Sequence, residues 1–189
     1  MKTSLLRNMV LSATAVWIAL SAGPSFAEPK TETSGKWSAT VDELSSGQDV
    51  RKTCAASTAF VDQNGSPGTL TLIISSDDAL PPNAYPALTL AVDNKDLPKG
   101  KNIAAVFSDG KGKVAATVSE GDSIGPHRQW MMDNKSKTSL ALLRAMRQAS
   151  TLDVTLASIP VASIEMAGFT KAYRNLGTWC GFPTSDVAP

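Results

Sequence analysis

The feature that most constrains this chain is a period. Apolar side chains recur at every second position, in short runs that turn residues interrupt. Trp37, Ala39 and Val41 share one side of a run, with Ser38 and Thr40 between them. The alternation returns in Cys54-Ala56-Thr58-Phe60, Leu70-Leu72-Ile74, Leu88-Leu90-Val92, Leu152-Val154-Leu156 and Ala162-Ile164-Met166. Successive side chains of a strand point to opposite faces, so these runs predict half-buried strands. Asn64-Gly65-Ser66-Pro67-Gly68 is dense turn chemistry, and 75–86 holds three prolines. Asp109-Gly110-Lys111-Gly112 lies between alternating runs at 102–107 and 113–119, a strong hairpin signal. Residues 128–133 add a run with Trp130 and Met132 on one face.

Two stretches break the period. From Ser139, Leu140, Leu142, Leu143, Met146 and Ala149 form a broad apolar face opposite Arg144, Arg147 and Gln148, with Thr138 or Ser139 as N-cap. Phe169, Ala172, Tyr173 and Leu176 fall at i, i+3, i+4 and i+7, and Gly177 stands where that second helix would end. About nine short strands and two short helices result. The expected fold is mainly β: an antiparallel sandwich or barrel-like domain, not a set of βαβ units.

The first 27 residues read as an export signal. Lys2 and Arg7 precede an apolar stretch from Met9 to Ala22, and Ser25-Phe26-Ala27 offers small residues for cleavage after Ala27. Fourteen apolar residues are short for a membrane span. The absence of a twin-arginine pair points to the general secretory route. The expected organisation is therefore a removed signal (1–27), a flexible polar arm (28–35) and one β-rich domain (36–189), located in the periplasm or outside the cell. The signal carries two of the 18 basic residues and none of the 17 acidic ones, leaving a net charge of −1. Nucleic-acid binding, which needs a strong basic excess, is not expected. Nor is a membrane span after cleavage. Two cysteines, Cys54 and Cys180, in an exported chain predict one disulfide stapling the terminal helix to an early strand.

Reactive chemistry is sparse. His127 is the one histidine, and no G-x-S-x-G elbow or phosphate-binding glycine motif accompanies it. A structural zinc site wants four nitrogen or sulfur ligands, more than one histidine and two paired cysteines supply. Met131 and Met132 are adjacent, so on a strand they face opposite ways and make no copper site. No catalytic, cofactor or metal residue is assigned. Two loops bring together the side chains that dominate binding interfaces: Tyr85 in one, and His127, Arg128 and Trp130 in the other.

The order of elements carries a resemblance. A Trp-containing strand leads into a strand with a cysteine. A leucine-rich helix at Ser139–Ser150 (SLALLRAMRQAS) runs into the strand TLDVTLAS, and SIEMAGFTKAYRNL at Ser163–Leu176 carries a strand into a Gly-Phe-x-x-Ala helix. This pattern resembles the invasion-associated locus B family of bacterial secreted proteins, at residue level through Gly168, Phe169, Ala172 and Leu176. The resemblance implies a small β-rich exported fold, a link to host-cell invasion and no established enzymatic activity. The chain departs from the pattern in having no cysteine between Cys54 and Cys180, where members often carry more. The leading expectation is a non-enzymatic exported protein that binds an unknown protein or envelope component. A periplasmic enzyme inhibitor or immunity-type protein is the alternative, and a hydrolase whose acids converge only in the fold is the third.

Overall fold

A computed structural model describes residues 25–26, 28–45, 49–123, 127–132 and 137–189. The stretch read from the sequence as an export signal lies outside them except for Ser25 and Phe26. The described residues form eleven strands and two helices. These are β1 (Ser25–Phe26), β2 (Lys30–Ser34), β3 (Trp37–Ser45), β4 (Val50–Val61), β5 (Pro67–Ser75), β6 (Ala87–Val92), β7 (Ile103–Ser108), β8 (Lys113–Glu120), β9 (Arg128–Met132), α1 (Lys137–Gln148), β10 (Thr151–Leu156), β11 (Ile159–Glu165) and α2 (Phe169–Cys180). Strands β3 to β11 are the nine that the alternation predicts.

All strands belong to one antiparallel sheet in the order β1-β3-β4-β5-β6-β9-β8-β7-β10-β11, with β2 alongside β1 on the free edge of β3. The hydrogen-bonded path does not close, but the sheet curls until its ends meet. The Gln63 N–H donates to the Val161 carbonyl (3.1 Å) and the Lys36 N–H to the Ala167 carbonyl (2.8 Å). The result is barrel-like. Inward rows supply the core: Trp37, Leu70, Leu72, Leu90, Phe107, Trp130, Leu152, Val154 and Ile164 are all buried. Leu142, Leu143 and Met146 of α1 and Phe169, Ala172, Tyr173 and Leu176 of α2 join the same core.

Two glycines fix where α2 begins. Gly168 has φ 97° and Gly35 has φ 57°, both left-handed. A Cβ on Gly168 would sit inside the Ser34 carbonyl, and one on Gly35 would lie 2.5 Å from the Ala167 oxygen. Each glycine thus leaves room for the other's backbone, clamping the β2–β3 turn to the start of the helix. The Phe169 ring then meets Trp37 edge-on at 5.0 Å.

Three expectations are corrected. Residues 28–35 do not form a flexible arm, since Lys30–Ser34 pair with Trp37–Val41 in register and Lys171 Nζ lies 2.6 Å from Glu32 Oε1. This strand sits at the sheet edge and is largely exposed on both faces, so it shows no apolar alternation. Gly177 does not end α2. The helix runs one more turn to Cys180, and Gly181 (φ 76°) caps it by donating to the Gly177 carbonyl at 2.9 Å. Gly177 is small for another reason: a Cβ there would strike the Thr184 methyl and lie 2.7 Å from the Phe182 carbonyl oxygen, where the tail folds back over the helix. Finally, Thr138 and Ser139 lie inside α1 rather than capping it.

Candidate functional site

The structure builds the expected interaction loops into the body. Tyr85 is only 5% exposed, and its hydroxyl donates to the Asp186 carboxylate. Burial, reinforced by that carboxylate, pushes the Tyr85 hydroxyl up to about 12. The Asp186 carbonyl in turn accepts from Arg144 Nε (2.8 Å), so loop, tail and α1 are tied together. Trp130 is fully buried and its indole N–H donates to the Pro98 carbonyl at 3.0 Å. It faces inward because it shares the period-two row of Met132 and the core.

Arg128 is equally committed. Its guanidinium lies 4.7 Å from the Trp130 ring centroid and donates to Glu120 Oε1 from Nε (2.9 Å) and Nη2 (2.7 Å). It also donates to the carbonyls of Leu97 (2.9 Å) and Pro98 (3.1 Å). The Gly100 N–H and the Arg128 guanidinium hold the Glu120 carboxyl below the usual carboxylate range. His127 is half-buried beside this cluster. Arg128 and Trp130 thus clasp the 93–101 loop; neither Tyr85 nor Trp130 offers a ring to a partner.

A different site forms at the far end of α2. In the β3–β4 ladder, Val41 stands opposite Cys54 and Glu43 opposite Lys52. Both pairs face the side that α2 covers. The Cys54–Cys180 disulfide pins the last residue of the helix to β4, across 126 residues of sequence. Helix periodicity then leaves Trp179 half-buried at the margin of the docked face, just beyond the bridge, with the exposed Thr178 at the cleft's rim. Lys30 enters from β2, opposite Val41, with Nζ 4.9 Å from the Trp179 ring centroid. Lys52 Nζ pairs with Glu43 Oε1 at 2.8 Å.

Glu28, Lys30, Val41, Glu43, Lys52, Thr178 and Trp179 enclose a cleft of about 240 Å³. That is below the ~300–1,000 Å³ of sites that engulf a small-molecule ligand. The space suits a single side chain. Its walls combine an aromatic face, two ammonium groups and two carboxylates. None of these residues was singled out by sequence reasoning. Extending the second helix past Gly177 would have placed Trp179 three residues after Leu176, beside Cys180, and flagged it. Among the described residues, no group of three or more His, Cys, Asp or Glu side chains comes together as a metal site. No helix among them is long and apolar enough to cross a membrane.

A curled antiparallel sheet with a terminal helix docked by a long-range disulfide defines the class: a small disulfide-stapled β domain. Its fold is that of the invasion associated protein B from Bartonella henselae. The crystal structure of that protein superposes with a TM-score of 0.52 at 17% identity, covering 79% of this chain and 95% of that one. The resemblance read from the sequence is therefore matched at the level of fold. No protein-family model and no curated protein matches the chain.

Proposed function

We propose that this is an exported, non-enzymatic binding protein of the cell envelope, released from its signal after Ala27, and that it engages its partner at the Trp179 cleft. The observation that carries the reading is the cleft itself. A half-buried tryptophan with Lys30 beside its ring is an anchor of the kind that dominates interfaces. The buried disulfide and the fold shared with the Bartonella protein are consistent with export.

The test is affinity capture from envelope extract with the mature chain, in parallel with Trp179→Ala. A partner retained by the parent and lost by the variant supports the reading. Recovery of no partner, together with turnover of a generic hydrolase substrate panel, would replace it with an enzymatic one.

A further inference from the structure

Strand β3 outruns its neighbour on one side. Strand β2 covers it only from Trp37 to Val41, while β4 pairs with it as far as Ser45. The remaining edge is filled by the chain's own leader: Ser25 and Phe26 pair with Ser45 and Leu44 in antiparallel register. Phe26 and Lys30 are four positions apart in the chain, while their partners Leu44 and Val41 are three apart, so the β1–β2 connection holds one residue more than the strand it runs beside. Glu28 and Glu43 both line the Trp179 cleft.

Cleavage after Ala27 removes β1. The backbone of Asp42 to Leu44 then has β4 on one side and water on the other. Leu44 (42% exposed) and Val50 (56% exposed) stand at this end of the ribbon. An uncovered strand edge with exposed apolar side chains is a template for strand addition.

We infer that signal removal unmasks the β3 edge as a β-augmentation site, and that the partner is an extended, uncharged peptide segment that takes the place of Ser25–Phe26. The inference rests on the export reading and deepens it. Main-chain hydrogen bonds to β3 supply affinity without regard to sequence, and side-chain pockets supply selectivity. In a strand added along β3, the residue opposite Glu43 faces the cleft side of the sheet, so its side chain enters beside Trp179. The two seated residues, Ser25 and Phe26, are uncharged, which sets the partner chemistry. A second copy of this chain is the competing occupant.

The chain is expressed with its own leader, recovered from the envelope fraction and weighed. A mass beginning at Glu28 is expected; a retained leader overturns both the cleavage and the inference. The cleaved protein is then titrated with a synthetic peptide of residues 21–28 (SAGPSFAE), with a scrambled peptide as control. Saturable binding should slow amide exchange over Asp42–Ser45 by about tenfold or more. Leu44→Lys should weaken binding about fivefold or more, because an edge lysine blunts strand addition. No protection, or protection only elsewhere, overturns the inference while leaving the export reading intact. So does a dimer of the cleaved chain that the peptide cannot dissociate, since a second copy then owns the edge.

Discussion

Replacing Gly168 with alanine tests the clamp that starts the terminal helix. Two costs can be separated. The first is local: at φ 97° an L-residue is strained by roughly 1–2 kcal/mol, whatever surrounds it. The second is contact: the new methyl would overlap the Ser34 carbonyl, so the β2–β3 turn and the start of α2 must move apart. That stretches the Lys36–Ala167 hydrogen bond, worth about 0.5–1.5 kcal/mol, and loosens Phe169 against Trp37. Together the variant should lose about 2–4 kcal/mol.

Gly65→Ala is the control. Gly65 also has a positive φ (84°), but a Cβ there meets nothing within 4 Å. It pays only the local cost, about 1–2 kcal/mol. In urea, with a slope of about 2 kcal/mol per molar, the Gly168 variant should drop the midpoint by roughly 1–2 M and the control by clearly less. Tryptophan fluorescence is a suitable readout because Trp37 lies beside the clamp. If the two variants unfold within about 0.5 kcal/mol of each other, the clamp is not a contact and the reasoning fails.

Three further outcomes follow from the same structure. Removing the Cys54–Cys180 bridge, as a double alanine variant or with reductant, should cost up to about 5 kcal/mol from the loop it closes, and lower the melting temperature by about 10 °C or more; an unchanged melting temperature would show that the bridge contributes nothing. Phe169→Ala should cost about 3–5 kcal/mol in calorimetry, since the ring is buried between Trp37 and Tyr173; a near-neutral change means α2 is not docked there. Both tyrosines of the chain are buried, and burial, with the Asp186 charge next, also pushes Tyr173 up. Native protein should therefore show almost no tyrosinate absorbance near pH 11, where the unfolded chain, with tyrosine near 10, has largely ionised. By linkage this stability is full below about pH 10 and is lost as pH rises from there through 12; a native titration centred near 10 would contradict the burial of both rings.

Elements with one wet and one dry face were legible from residue type alone. Trp37, Leu152 or Val154 announce their row because every second neighbour is polar. Strand β2 was not legible, because Lys30 to Ser34 sits at an edge and has no dry face to advertise. The site was harder still. Trp179 was hidden by a correct rule applied to the wrong glycine: Gly177 and Gly181 are both plausible helix stops, and only the returning Phe182–Thr184 segment explains why Gly177 is small. Tyr85 and Trp130 carried the composition of an interface without its geometry. Whether an aromatic in a loop faces in or out depends on distant partners, here Asp186 and Pro98, which lie 101 and 32 residues away.

The disulfide also sets an order of events. Cys54 is made 126 residues before Cys180. At about 5–20 residues per second, synthesis of the intervening chain alone takes roughly 6–25 s. Throughout that interval β4 can pair with β3 and β5, but its thiol has no intramolecular partner. Any oxidant met then can oxidise or cap Cys54, or join it to another molecule, but cannot close the bridge. The bridge is therefore a late lock, closed once α2 reaches the strand, and the cell must keep Cys54 reduced or sheltered until it does.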